Sequence, residues 1–176
     1  MEGQDFATSA GPLAAAYVDL LESTSGTILR ARPSLDVWSP LEYACHVRDL
    51  LLVQRERVLA ARRQGRPVAE PMGRDERVEH DGYNHQSPSD VARQLSDATL
   101  LLSNAFGRLS PADWDRTVIY PYAYPDPNPG ERSLRWMATH TLHELSHHLI
   151  DIRRQLDRAD AALKEEHVCD RGSEQP

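Results

Sequence analysis

Two segments of the sequence begin with the same helix-start pattern, a serine followed by a proline and then an acidic residue in the first turn. The first is Ser39-Pro40-Leu41-Glu42 and the second is Ser87-Pro88-Ser89-Asp90. The serine can cap the helix, the proline fits the first helical position, and the acidic residue favours the positive end of the helix dipole. The pattern predicts one helix from the first serine to about Arg63 and another from the second serine to about Leu109.

Two further segments have the apolar spacing that is typical of amphipathic helices. One runs from Pro12 to Arg30, and the other from Ser133 to about Ala162, with a stripe of aliphatic residues at Leu142, Leu145, Leu149, Ile152 and Leu156. No segment shows convincing strand-like alternation. Four amphipathic helices without strands predict an all-α four-helix bundle. Long loops, Gly65–Gln86 and Trp114–Arg132, separate helices 2 and 3 and helices 3 and 4, and loops of this length often cover a site.

The length and net charge of the chain limit its domain number and its possible binding partners. With 176 residues it fits a single domain, here 1–162, followed by a polar and flexible tail over 163–176. A net charge of −7 disfavours binding to nucleic acid or to an anionic membrane.

The N-terminus lacks the pattern of a signal peptide, so a cytoplasmic location is expected. We expect a small-molecule substrate as the partner and, because dimers are common among bundles of this size, a homodimer as an option.

Histidine is the residue type that points to chemistry. Four of the eight histidines lie between residues 140 and 148 of the last predicted helix. Imidazole and carboxylate groups bind divalent ions, and residues four apart on a helix can reach the same ion. Three pairs have this spacing: His140/Glu144, His143/His147 and Glu144/His148. Because Glu144 and His148 lie on a shoulder of the apolar stripe, they form the preferred pair. His143 and His147 point nearly opposite the core and are the runner-up pair.

A third ligand has to come from another helix. His46 lies on the shoulder of the apolar face of the second helix and is the only histidine in the first three predicted helices. Two histidines and one carboxylate leave a coordination position open, as in catalytic zinc sites. Asp49 and Asp151 each follow a proposed ligand by three residues and are candidates to accept a hydrogen bond from it. Cys45 is interpreted as a buried, inert thiol.

At these residues the sequence resembles the DinB-like superfamily of bacterial metal-binding bundles, which includes mycothiol-dependent maleylpyruvate isomerases and bacillithiol and mycothiol S-transferases. The resemblance lies in two stretches: Trp38 to Glu42 leading to His46-Val47-Arg48-Asp49-Leu50, and His143 to Ile152. It implies a metal histidine at His46 and two ligands at Glu144 and His148. Many members have histidine where this chain has Glu144, and the isomerase branch has glutamate there.

The resemblance also implies a cofactor and a reaction. One divalent metal, zinc or nickel, would bind a low-molecular-weight thiol such as mycothiol as the thiolate, which then attacks a small electrophile. The predicted function is therefore a metal-dependent thiol S-transferase or isomerase. The alternative is a non-catalytic metal-binding stress or interaction protein of the same fold, and a metal hydrolase is a third option. Weaker candidates for substrate binding are Arg74, Arg77, Tyr83, His85 and Tyr122.

Overall fold

The computed structural model describes the backbone of residues 3–120 and 130–172 and the side chains of 5–120 and 130–162. Six helices lie in these ranges: α1 (Gly3–Ser23), α2 (Gly26–Arg30), α3 (Pro40–Arg63), α4 (Arg74–His80), α5 (Pro88–Gly107) and α6 (Leu134–Gly172). The two strands are β1 (Thr117–Tyr120) and β2 (Gly130–Ser133), and short 3₁₀ turns occupy Tyr83–His85 and Asp113–Asp115. The long helices α1, α3, α5 and α6 form the predicted four-helix bundle.

Both predicted helix starts are confirmed. The Ser39 side chain accepts a hydrogen bond from the backbone N–H of Glu42, and the Glu42 carboxylate accepts one from the backbone N–H of Ser39 at 2.8 Å. At α5 the Ser87 side chain accepts a hydrogen bond from the N–H of Asp90. These interactions satisfy backbone donors that have no partner inside the helix. The capping residue of α3 is thereby fixed seven positions before His46.

The prediction of one helix from Pro12 to Arg30 is wrong. Helix α1 begins earlier, at Gly3, and its first turns bury Phe6 and Ala10 in the core. It ends at Ser23, and the Ser25 side chain then accepts a hydrogen bond from the N–H of Ile28 at the start of α2. A capping serine before Gly26 therefore divides the segment into two helices.

The order of the helices around the bundle brings α3 beside α6. Helix α1 packs against α5 and α6, and α3 packs against the same two helices. Consecutive long helices, α1 and α3 or α5 and α6, therefore occupy opposite corners. A continuous apolar core fills the centre, and the Tyr17 hydroxyl donates a hydrogen bond to the Leu145 carbonyl at 2.7 Å, tying α1 to α6.

The long connections contain structure that the sequence analysis did not predict. Strands β1 and β2 pair antiparallel, from Thr117 opposite Ser133 to Tyr120 opposite Gly130. The first connection joins this hairpin, because the Ile119 N–H donates to the Pro67 carbonyl and the Ala69 N–H donates to the Ile119 carbonyl. The first connection therefore lies beside the described strands of the second one.

The last helix is longer than predicted. Helix α6 continues to Gly172 instead of ending near Ala162. The flexibility of the tail over 163–176 stays a prediction. Within the described residues, no helix is both long and apolar enough to span a membrane.

Candidate metal centre

Three side chains from two neighbouring helices converge at the predicted metal site. His46 extends from α3, and Glu144 and His148 extend from α6. One nitrogen or oxygen ligand atom from each residue lies within 4.8 Å of the others. The Nε2 atom of His148 is 3.5 Å from Oε2 of Glu144, and the rings of His46 and His148 meet edge to face with centroids 5.1 Å apart. The structure thus brings together the three residues predicted as ligands.

The electrostatics of this cluster favour the protonation states that bind metal. Burial lowers the pKa of the His46 imidazole to about 3, so the ring is neutral at physiological pH. Burial alone would raise the pKa of the Glu144 carboxyl, but the hydrogen bond with His148 and the electrostatic interactions with the neighbouring imidazoles outweigh it. The pKa of Glu144 therefore lies below its ordinary value. A neutral imidazole beside a carboxylate is a suitable donor set for a divalent cation.

An unsatisfied polar atom supports the fit to a cation. Nδ1 of His46 is buried and has no hydrogen-bond partner among the described residues. Buried polar atoms are paired in most proteins, so an unpaired imidazole nitrogen is unusual and marks a position where a ligand would be favourable. The residues present therefore fit a divalent metal.

Aromatic rings at the start of α3 hold the two imidazoles. The ring of Trp38 lies 5.2 Å from that of His46, and the ring of Tyr43 lies 5.2 Å from that of His148. Trp38 and Tyr43 also contact each other, with centroids 5.5 Å apart. The sequence analysis missed Tyr43, although its position three residues before His46 places it on the same face of the helix.

Asp151 lies near its histidine, as predicted. Its Oδ2 atom is 3.6 Å from Nδ1 of His148, slightly beyond hydrogen-bond distance. The same oxygen lies 3.4 Å from Nε2 of the exposed His147. Asp151 therefore lies between two imidazole rings, and its role in orienting His148 stays a prediction.

Asp49 does not accept a hydrogen bond from Nδ1 of its histidine, so this prediction is wrong. The Asp49 carboxylate accepts hydrogen bonds from the Tyr83 hydroxyl at 2.6 Å, from Nε of Arg48 at 2.8 Å and from Arg77 at 3.3 Å. Residues three apart share a helix face, but Tyr83 and Arg77 draw the Asp49 carboxylate towards the first connection. Asp49 thereby ties that connection to α3.

A cavity of about 280 Å³ opens beside the cluster, and His46 and Glu144 form part of its wall. Most of the wall is apolar or aromatic, and four other polar side chains face the same space. The remaining lining residues are Leu50, Gln54, Arg57, Pro71, Met72, Gly73, Arg74, Tyr120, Trp136 and His140. A small molecule in this cavity would lie next to the converging ligand atoms.

The predicted substrate-binding residues have different outcomes. Arg74 lies in the wall of the cavity. Among the described residues, Arg77 and Tyr83 belong to the Asp49 network, and His85 is exposed on the 3₁₀ turn, so these three are not part of the wall. Tyr122 lies outside the residues that the structure describes.

Two cavity residues were not predicted as main site residues. The sequence analysis missed Arg57 and ranked His140 below the preferred ligands. Arg57 follows His46 by 11 positions, about three helical turns, and this spacing could have placed it on the same face. His140 precedes Glu144 by one turn, and its Nε2 atom lies 3.8 Å from Oε1 of Glu144. The His140 ring stacks on Trp136 with centroids 4.6 Å apart, and burial lowers its pKa.

The runner-up pair lies on the solvent side of α6. His143 and His147 are exposed, with stacked rings 5.8 Å apart. They face away from α3, as the apolar stripe indicated. Cys45 is fully buried, and burial raises the pKa of its thiol to about 12, so it is an inert group at neutral pH.

Two solved structures have a similar fold. YfiT from Bacillus subtilis, a probable metal-dependent hydrolase with an unusual four-helix bundle topology, matches with a TM-score of 0.80 and 13% identity. The match covers 90% of this chain and 87% of YfiT. The mycothiol-dependent maleylpyruvate isomerase matches with a TM-score of 0.67 and 14% identity. That match covers 86% of this chain but only 61% of the isomerase.

The family comparison agrees with the fold. No curated protein matches this chain. The family model of the DinB superfamily matches residues 13–152, which extend from within α1 to one turn beyond His148 in α6. This match covers most of the bundle and all three converging residues. The chain therefore belongs to the DinB superfamily.

Proposed function

We propose that the protein is a divalent-metal-dependent enzyme that uses a low-molecular-weight thiol, such as mycothiol, in an S-transfer or an isomerisation of a small electrophile. The observation that carries this proposal is the convergence of His46, Glu144 and His148 beside a cavity. The fold shared with the mycothiol-dependent isomerase supports the choice of thiol chemistry. The proposal concerns only this bundle, because the chain spans 61% of the isomerase.

In this proposal His46, Glu144 and His148 hold one ion, zinc or nickel. When bound, the ion would supply Lewis acidity and lower the pKa of a thiol sulfur that reaches it. Three protein ligands are the number found in catalytic zinc sites, whereas closed structural sites have four. His46 and Glu144 form part of the cavity wall, so a thiol bound in the cavity would have access to the metal ion.

Two arginines in the wall are suited to bind a carboxylate. The guanidinium of Arg57 lies 5.2 Å from the ring centre of Tyr120, and that of Arg74 lies 5.9 Å from the ring centre of Trp38. These contacts hold each cation at the edge of an apolar space, where its attraction to an anion is stronger than in water. We infer that the arginines orient an anionic part of the thiol or of the electrophile.

His140 is the group that we assign to proton transfer. It shares the wall with Glu144, and its ring is held against Trp136. In this position Nε2 of His140 could accept the proton that the thiol releases. The same position would suit the activation of water, so a metal-dependent hydrolase is the second candidate. YfiT, the structural neighbour with that description, makes hydrolysis worth testing.

The test is a conjugation assay with the metal-loaded protein. Mycothiol, bacillithiol, cysteine and glutathione are each incubated with monochlorobimane, and conjugate formation is measured against the rate without protein. We expect the rate to increase with at least one thiol and to disappear after metal removal. A p-nitrophenyl ester assay without thiol tests the hydrolase alternative in parallel.

Two variants control the assay. His148→Ala should abolish the protein-dependent rate, whereas Cys45→Ser should retain it, because the buried Cys45 thiol is not the nucleophile in this proposal. Absence of conjugation with every thiol, together with tight metal binding and no ester hydrolysis, would favour the non-catalytic metal-binding protein and contradict the proposal.

A further inference from the structure

A second cluster of potential metal ligands lies on the outer side of His148. One ligand atom each from His147, His148 and Asp151 lies within 4.8 Å of the others. The Oδ2 atom of Asp151 is 3.4 Å from Nε2 of His147 and 3.6 Å from Nδ1 of His148. A ligand distance of about 2.0–2.2 Å places two ligand atoms of a tetrahedral ion about 3.3–3.6 Å apart. The two distances from Asp151 therefore match an ion that binds its carboxylate together with an imidazole nitrogen.

The two ring nitrogens of His148 face two different carboxylates. Nε2 lies 3.5 Å from Glu144 on the inner side, and Nδ1 faces Asp151 on the outer side. Nδ1 is buried and has no hydrogen-bond partner among the described residues. A buried nitrogen without a partner, directed at a carboxylate that also faces His147, is an independent indication of a ligand at this position.

We propose that His147, Asp151 and Nδ1 of His148 form a second binding site for a divalent first-row cation such as Zn²⁺. His147 is exposed and provides access from solvent, so water would complete the coordination. Arg154 lies 4.0 Å from the other carboxylate oxygen of Asp151, on an exposed side chain that can move away. The outer site is separate from the cavity, because His147, His148 and Asp151 are not among the residues that line it.

The two sites share one imidazole, so their occupancies are linked. When both are filled, His148 bridges the ions as imidazolate and releases its remaining ring proton to solvent. Each ion then repels the other across the ring. Because its ligands are the more exposed set, the outer site is the weaker one and fills only at a higher metal concentration. This inference uses a residue of the proposed centre but does not depend on its reaction.

The test is metal stoichiometry on protein without an affinity tag. Each protein is dialysed against increasing free Zn²⁺, and bound zinc is measured by mass spectrometry. We expect two ions per chain for the unmodified protein, taken up in two separate steps. His147→Gln should lose the weaker step and retain the tighter one. His143→Gln is the matched control, an exposed histidine one turn away on the same face, and should retain both steps.

Two further variants separate this inference from the proposed inner centre. His46→Gln should lose the tighter step and keep the weaker one, whereas His148→Gln should lose both. Saturation of the unmodified protein at one ion, or equal losses in His143→Gln and His147→Gln, would overturn the outer site. Retention of the weaker step at unchanged affinity in His148→Gln would overturn the shared imidazole. Circular dichroism of each variant confirms that the helices are intact.

Discussion

The same local pattern, histidine followed three residues later by aspartate, occurs on two helices and has a different result on each. On α6, Asp151 turns towards His148 and lies 3.6 Å from its Nδ1 atom. On α3, Asp49 turns away from His46 and binds Tyr83, Arg48 and Arg77. The difference comes from the neighbouring segments of the protein. Asp49 on α3 is covered by the first connection, whereas this part of α6 faces solvent. Spacing along a helix therefore sets which contacts are possible, and the partners nearby determine which form.

The largest effect on metal binding is expected from substitution of His46 or His148. The two substitutions should have the same effect, although the neighbouring aspartates make different contacts. His46→Ala and His148→Ala should each abolish tight metal binding, because the remaining two ligands leave the centre incomplete. His143→Ala should retain it, because that side chain faces solvent. Elemental analysis of the purified proteins measures this, and equal metal loss in all three variants would show that the apolar stripe does not identify the ligands.

Asp49→Asn should reduce the stability of the protein and leave its metal binding unchanged. Removing the charge leaves the buried Arg48 without its carboxylate partner, and breaking a buried ion pair in this way costs about 3 kcal/mol. Urea denaturation should show this loss in the free energy of unfolding, while the metal content of the folded variant stays at the level of the unmodified protein. If Asp49→Asn lost metal at unchanged stability, Asp49 would act through His46 after all.

Asp151→Asn should weaken metal binding and leave stability nearly unchanged, the reverse of Asp49→Asn, and its effect should be smaller. Loss of the carboxylate facing Nδ1 of His148 should weaken tight metal binding by about tenfold, the lower range for groups that orient a metal ligand. Because Asp151 is partly exposed, the free energy of unfolding should change by no more than about 0.5 kcal/mol. Competition with a chromophoric chelator measures the affinity. An unchanged affinity would remove the difference between the two aspartates.

Local signals were sufficient to predict much of the fold and the converging ligands. The serine caps predicted the starts of α3 and α5, because capping depends on a few adjacent residues. The direction of the apolar stripe on α6 separated Glu144 and His148 from His143 and His147. The resemblance to the DinB-like superfamily selected the same trio. In these cases the information lies within a few turns of one helix.

Other features depend on contacts between distant segments, and the sequence pattern did not predict them. The hairpin forms where the segment around Ile119 meets Pro67 and Ala69, and this contact helps to place Tyr120 and Met72 in the cavity wall. The network of Asp49 likewise requires Tyr83 and the first connection. The break between α1 and α2 was a local error, since the cap at Ser25 was present in the sequence.

The most direct test of the central claim is a crystal structure of the protein loaded with one equivalent of Zn²⁺, with anomalous data collected at the zinc edge. We predict one strong peak between α3 and α6, about 2.0–2.2 Å from a ligand atom of each of His46, Glu144 and His148. A peak bound by His143 and His147 instead, or a strong peak with His46 directed away from it, would contradict the account.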